Sequence, residues 1–266
     1  MSIITLLTDF GSQDYFVGAM KGAILSINRH ALIIDITHEI PPQDIEAAAF
    51  NLVATYKDFP AGTIHVAVVD PGVGSTRKPI LIECGEQFFV GPDNGIFSWI
   101  CEREGSVRAI HLTNEAFFRD PVSATFHGRD IFAPVAAALS SGVAMTQFGE
   151  KLSDYVRLDP LRPTAASDGS VEGRVIHIDR FGNCITNLTL EHFSADKAAS
   201  GAQLRINSRE ISSFRQSFSE GEVDGSDLFC LVGSAGFLEI AACNSSAATM
   251  LNAQRGNVVT LIPDRL

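Results

Sequence analysis

Apolar and polar positions in the first 140 residues alternate between two textures. Residues 3–7, 31–36 and 63–69 are nearly continuous apolar runs, ending at Thr8-Asp9, Thr37-His38 and Asp70-Pro71. Between them, residues 14–27 have helical spacing, with Phe16, Met20, Ala23, Ile24 and Ile27 on one side. Residues 43–56 are rich in Ala and follow Pro41-Pro42, a helix-start signal. Apolar runs without polar alternation, separated by helices, predict parallel strands covered on both faces. Residues 80–84 and 87–90 predict a hairpin around Gly85-Glu86, residues 107–112 a further strand, and residues 129–139 a helix with Pro134 in its first turn.

The texture changes at residues 159–173, DPLRPTAASDGSVEG, which carry no hydrophobic period and read as a linker or long loop. After it come short apolar segments at 173–179, 184–188, 203–206, 228–232, 237–241 and 258–262. Short strands at such spacing predict a small antiparallel barrel or sandwich. The expected organisation is an α/β domain over 1–160, a linker over 161–172 and a second domain over 173–266.

Composition narrows the function classes. A chain of 266 residues with 45% hydrophobic and 19% charged positions is not a disordered one. Twenty cationic residues against 31 acidic ones give a formal charge of −11, which argues against a nucleic-acid partner and, weakly, against an anionic membrane. A cationic small molecule is compatible with that surface. Five cysteines, an odd number with no CxxC pair, argue against a disulfide framework or a zinc ribbon and fit idle thiols in a reducing cytoplasm. The start MSIITLLTDFG lacks the basic region of a signal peptide, and no apolar run approaches the roughly 18 residues of a membrane span. A soluble, cytoplasmic protein is expected.

Candidate chemistry gathers at strand ends. Asp9, His38 and Asp70 each follow a predicted strand, and the carboxyl ends of parallel strands line the ligand crevice of open sheets. Familiar motifs are absent or broken. There is no Walker A sequence, HExxH or GxSxG; Gly72-Val-Gly74 begins a GxGxxG but has Arg77 at its last position. The Asp9-Phe10-Gly11 triplet has no kinase context. What remains are Gly- and Pro-bracketed polar loops, in which backbone can approach a ligand closely. Asp70 and Arg77 meet only if the loop between them folds back. His38, His65, His111, His177 and His192 show no metal-ligand spacing and read as surface or hydrogen-bonded core residues.

Six fragments together carry a resemblance: TDFG at 8–11, VDPGVGSTR at 69–77, GPDNG at 91–95, FHGRD at 126–130, DRFGNCITN at 179–187 and GSAGFLEIA at 233–241. They are similar to the S-adenosyl-L-methionine (SAM) hydroxide adenosyltransferases, also called SAM hydrolases, relatives of the fluorinase and chlorinase. The resemblance spans nearly the whole chain. It implies a Rossmann-like three-layer α/β domain with a parallel-rich sheet, followed by a small antiparallel β-barrel-like domain. It also implies a homotrimer that holds substrate between the N-terminal domain of one subunit and the C-terminal domain of the next.

By position, Asp70, Arg77 and His127 match the set that orients the attacking water. Asp9 matches the carboxylate on the ribose hydroxyls, and Phe126 of the FHGRD fragment falls among the substrate-binding residues. Asp179 and Ser234 match residues that hold the methionine amino and carboxylate groups. Phe181 and Asn183 match residues around the adenine and the sulfur. The halogenases carry Tyr and Thr in the segment holding Asp70 and Val73, and the fluorinase carries Trp at the place of Gln43, so the resemblance favours water over halide. Ala235 stands where the fluorinase has Arg, which alters the methionine-carboxylate contact. No cofactor or metal is implied. Two rival expectations use the same residues: a phosphoesterase with a divalent metal on Asp9, Asp70 and His127, and a non-catalytic module that binds SAM or a nucleoside.

Overall fold

The computed structural model describes residues 2–220 and 227–263. The chain forms two compact units, Met1–Pro160 and Leu161–Leu266. It is a mixed α/β protein.

Unit 1 is built on a seven-stranded sheet. Its strands are β1 (Ile3–Thr8), β2 (Leu32–Thr37), β3 (Ile64–Val68), β4 (Pro79–Cys84), β5 (Gln87–Pro92), β6 (Val107–Leu112) and β7 (Gly149–Leu152), and its helices α1 (Phe16–Ile27), α2 (Ile45–Thr55), α3 (Ser98–Glu104) and α4 (Ala133–Ser140). The strand order is β2-β1-β3-β5-β4-β6-β7. The β1–β2, β1–β3 and β3–β5 pairs are parallel; the pairs β4–β5, β4–β6 and β6–β7 are antiparallel. Alternate residues of a strand face opposite sides. Ile4 and Leu6 of β1, with Ile64, Val66 and Val68 of β3, share one core with Met20, Ala23 and Ile24 of α1 and with α4. The other helices, α2 and α3, pack against each other.

Three details differ from expectation. Ile27 is 48% exposed, because α1 buries only Met20, Ala23 and Ile24. β2 is an edge strand with β1 as its one neighbour, so Leu32 is 43% exposed and the strand is not covered on both faces. The helix expected from 129 opens as a π-helical turn, Gly128–Phe132, and becomes α-helical at Ala133, with Pro134 in its first turn, where a missing N–H costs nothing. α2 starts where Asp44 accepts the Ala47 N–H at 2.9 Å.

Unit 2 contains an eight-stranded antiparallel sheet. Its strands are β8 (Thr164–Ala165), β9 (Val171–Ile178), β10 (Cys184–Thr189), β11 (Gln203–Ile206), β12 (Arg209–Ile211), β13 (Leu228–Val232), β14 (Phe237–Ala242) and β15 (Val258–Ile262). The order is β12-β11-β15-β9-β10-β14-β13, with β8 on β9. The two ends, β12 and β13, touch, so the sheet is nearly closed. Thr164 and Ala165, in the segment that reads as a linker, pair with Glu172 and Val171.

Candidate active site

In unit 1 a cavity of about 440 Å3 opens at the carboxyl ends of β1 and β3. Asp9 and Asp70, one residue beyond β1 and two beyond β3, both line it. The chain after Asp70 turns twice: the Val73 N–H donates to the Asp70 carbonyl at 3.2 Å and the Ser75 N–H to the Gly72 carbonyl at 3.0 Å. Gly74 has φ +77°, and a Cβ there would run into the Ala124 carbonyl, so this loop packs directly on the segment leading to His127.

The fold-back brings Arg77 onto Asp70. Arg77 Nε donates to Asp70 Oδ1 at 2.9 Å and Nη2 to Oδ2 at 2.5 Å, a two-pronged pair. Both side chains are nearly buried, 10% and 6% exposed. The same Nη2 lies 2.6 Å from Nδ1 of His127, and the guanidinium stands 5.3 Å from the centre of the Phe132 ring. A guanidinium has only donors, so Nδ1 must be the acceptor and the imidazole proton resides on Nε2. Burial and the adjacent Arg77 charge hold His127 below the ordinary histidine pKa, against the opposing pull of Asp70 and Asp130, which agrees with a neutral ring. Nη1 of Arg77 is buried with no hydrogen-bond partner among the described residues.

The rest of the cavity is shaped around this set. Phe126 packs edge-on against Phe10 and Phe16, at 5.9 and 5.3 Å between ring centres. Gln43 has φ +66°, and its backbone N–H donates to Asp9 Oδ2 at 2.8 Å. Buried Asp130 accepts from Arg129 Nε and Nη2 at 2.7 and 2.8 Å and from the Ser123 N–H at 3.0 Å, fixing the segment that carries Phe126 and His127. Asp9, Asp70, Phe126 and His127 therefore line one cavity, with Arg77 behind Asp70. Among the described residues no three His, Cys, Asp or Glu side chains converge as a metal-binding group.

Unit 2 holds a second cavity, of about 650 Å3. Phe181 and Asn183 line it, in the turn between β9 and β10, together with Phe218, Phe229 and Cys243. Asp179 holds that turn: Oδ1 accepts the Phe181 and Asn183 N–H groups at 2.9 and 2.8 Å, and Oδ2 accepts Asn183 Nδ2 at 2.8 Å. Asn183 is thereby buried, whereas Phe181 is 79% exposed. Ser234 is exposed in the β13–β14 turn and does not line this cavity. Cys243 Sγ accepts from Arg215 Nη1 at 3.1 Å, and the guanidinium lies 4.1 Å from the Phe229 ring centre. Sequence reasoning passed over Phe10, Phe16, Phe218, Phe229, Cys243 and Arg215. Phe10 lies in the TDFG fragment without chemistry of its own to mark it, Phe16, Phe218 and Phe229 carry no local motif, and Arg215 and Cys243 are 28 positions apart.

The strand-end cavity and its ion pair define an α/β protein with a buried polar site, and the comparisons specify the class. Residues 4–149 match the SAM hydroxide adenosyltransferase N-terminal domain and residues 173–260 its C-terminal domain, so the chain belongs to the SAM hydroxide adenosyltransferase family. Among its relatives, the (R)-S-adenosyl-L-methionine hydrolase of Methanocaldococcus jannaschii is 38% identical, over 95% of this chain and 92% of that protein. The protein of the same name from Salinispora tropica is also 38% identical, over 96% and 95%. A solved structure described as an uncharacterized conserved protein from Thermotoga maritima superposes with a TM-score of 0.88 at 36% identity, covering 97% of this chain and 99% of that one. Proteins named fluorinase match at 24 to 26% identity.

Proposed function

We propose that this protein hydrolyses SAM to adenosine and L-methionine, by in-line attack of an oriented water on the ribose 5′ carbon. The relatives at 34 to 38% identity carry the name of (R)-SAM hydrolase, and we carry the (R) sulfonium epimer over as the preferred substrate. The single structural observation that supports the chemistry most is the Asp70–Arg77–His127 cluster at the wall of a cavity shared with Asp9.

SAM is a sulfonium, and its leaving group is a neutral thioether. The water oxygen bonds to C5′, the C5′–S bond breaks, and its electron pair stays on sulfur. No general acid is needed for departure. The difficulty lies in presenting a desolvated, aligned nucleophile opposite sulfur, and orientation of that kind contributes on the order of several kcal/mol. Asp70 accepts a hydrogen bond from the water and favours the nearby cationic sulfur. Arg77 already bonds both oxygens of Asp70, which fixes their direction. The proton leaves late in the displacement, towards the Asp70 carboxylate, while His127, whose Nδ1 lone pair is taken by Arg77, orients the water through its Nε2–H. No cofactor takes part in this scheme. The divalent-metal alternative is disfavoured because the Arg77 guanidinium lies against both Asp70 and His127, two of the three ligands it requires.

Asp9 holds the ribose hydroxyls and Phe126 walls the sugar. Asp179 and Ser234 hold the methionine amino and carboxylate groups, and Phe181 and Asn183 lie around the adenine and sulfur side. We further infer a Rossmann-like three-layer unit 1, a barrel-like unit 2, a cytoplasmic location and a homotrimer with its sites at subunit interfaces. The exposed Phe181 ring beside its cavity supports a face that is covered on assembly.

The test is incubation of the purified protein with each SAM epimer, with and without a chelator, scoring adenosine and methionine. Equal amounts of the two products, faster from the (R) epimer and unaffected by chelator, are expected. Tight SAM binding without product would favour a binding module, and chelator-sensitive cleavage of phosphate esters the metal-dependent alternative.

A further inference from the structure

His38 has no task in the hydrolysis scheme, yet its ring and its carbonyl are both engaged at the end of the edge strand β2. The β1–β2 register shifts between Leu6 and Leu7: Leu6 faces Asp35, whereas Leu7 faces Thr37. This shift carries the end of β2 forward beside Thr8. Nδ1 of His38 lies 2.9 Å from Thr8 Oγ1, a fully buried hydroxyl that also accepts the Phe10 N–H at 3.2 Å. The Gly11 N–H donates to the His38 carbonyl at 2.8 Å. Both sides of Asp9 are thus tied, directly or through the Thr8 hydroxyl, to this one histidine. On its far edge, Nε2 lies 3.1 Å from Asp35 Oδ1, near enough for an ion pair but off the line of a good hydrogen bond. Asp35 in turn binds Lys21 of α1, at 2.6 Å.

We propose that His38 is a positioning residue for substrate binding: through the Thr8 hydroxyl it fixes the turn over residues 8–11 and so aims the Asp9 carboxylate at the substrate's sugar hydroxyls. A carboxylate on a loose turn must lose conformational freedom when it binds, whereas one held beforehand does not. Asp35 and Lys21 secure the imidazole from behind. This inference rests on the hydrolase reading and on Asp9 contacting the sugar.

Two near-isosteres separate the two edges of the ring. His38→Asn places an amide where Nδ1 stands, which keeps the Thr8 bond and gives up the Asp35 contact. His38→Gln reaches Asp35 and gives up Thr8. The expected result for His38→Gln is a KM for SAM raised about tenfold, the size of one lost hydrogen-bond constraint. Its kcat stays within about twofold, and inhibition by adenosine, but not by methionine, weakens by the same factor. His38→Asn keeps KM near wild type. Thr8→Val reproduces the KM of His38→Gln, and the double variant adds nothing further.

A role in stability alone would lower the active fraction, and so kcat, leaving KM unchanged. An unchanged KM in His38→Gln, or an equal rise in His38→Asn, would overturn the proposal. Calorimetric titration of the same variants with adenosine reads the Asp9 subsite without turnover. The proposal is therefore judged even where the wild type releases no adenosine from SAM, an outcome that sinks the hydrolase reading alone.

Discussion

The two cavities differ in kind. The one in unit 1 is framed by charge: a carboxylate bonded twice by a guanidinium, a neutral imidazole on the same guanidinium, and a second carboxylate held by a backbone N–H. The one in unit 2 is framed by rings and neutral groups, with Phe181, Phe218 and Phe229 around Asn183. Fixed charges and aimed lone pairs suit bond making, while flat apolar walls with a few polar groups suit recognition of a heteroaromatic ring. On the proposed reading the bond-making groups lie in unit 1 and base recognition in unit 2, so substitutions at Asp70 and at Phe218 should fall on different kinetic constants.

The largest expected effect is at Asp70. Asp70→Asn keeps the shape but loses the charge and one acceptor, so kcat should fall by about a thousandfold while SAM affinity, read by calorimetry, weakens only about threefold through the lost attraction to the sulfonium. Wild-type turnover in that variant would break the division between the units.

Acidification separates the units by stability. His65 is fully buried between Thr5 Oγ1 at 2.7 Å and Gln87 Oε1 at 2.5 Å, and burial pushes its pKa down to about 4, with the Gln87 bond opposing. The unfolded chain takes up that proton first, near pH 6.5. The contribution of a neutral His65 is therefore complete above about pH 6.5 and shrinks, by on the order of 3 kcal/mol, as pH falls towards 4. In unit 2, burial and nearby Asp179 raise the carboxyl of Glu239, which makes the opposite contribution on acidification. The single tryptophan, Trp99, lies in α3, so its fluorescence reports unit 1. Denaturation followed through Trp99 should weaken from pH 7 to pH 4, and His65→Gln should flatten that slope.

A third effect, on rate and pH together, is expected at His127. Protonation would remove the acceptor that Arg77 uses, so the acid limb of kcat/KM should lie below the ordinary histidine value. His127→Asn should lose about a hundredfold in kcat and lose that limb. Smallest of all, Phe218→Ala should raise KM about tenfold, as expected when one ring stops stacking on a base, with kcat nearly unchanged. A fall in kcat alone would move unit 2 into the chemistry.

How much of this was legible in the chain follows from where the information lies. β1 and β3 announced themselves because both of their faces are buried, so their apolar runs are interrupted only by Thr5 and His65, which bond to each other across the pair at 2.7 Å. The Asp70–Arg77 contact was readable as a possibility from a separation of seven positions across a loop that holds Gly72 and Gly74. α3 went unread because it is only seven residues long and follows a Gly-Pro-Asp-Asn-Gly turn. β7 and β12 went unread because GEKL and REI are polar edge segments whose pairing comes from a neighbour rather than from their own pattern. The unit 2 cavity assembles Phe181, Phe218 and Cys243 from three separate stretches, and only the fold juxtaposes them. His38 was visible as a polar residue at a strand end, but its tie to Thr8 depends on a register shift that no local pattern encodes.

The most direct measurement is turnover of SAM in oxygen-18 water, with mass spectrometry of both products. One labelled oxygen in the 5′-hydroxyl of adenosine, and none in methionine, is the outcome that attack at C5′ requires. Label in the amino-acid product, or unlabelled adenosine, would contradict it.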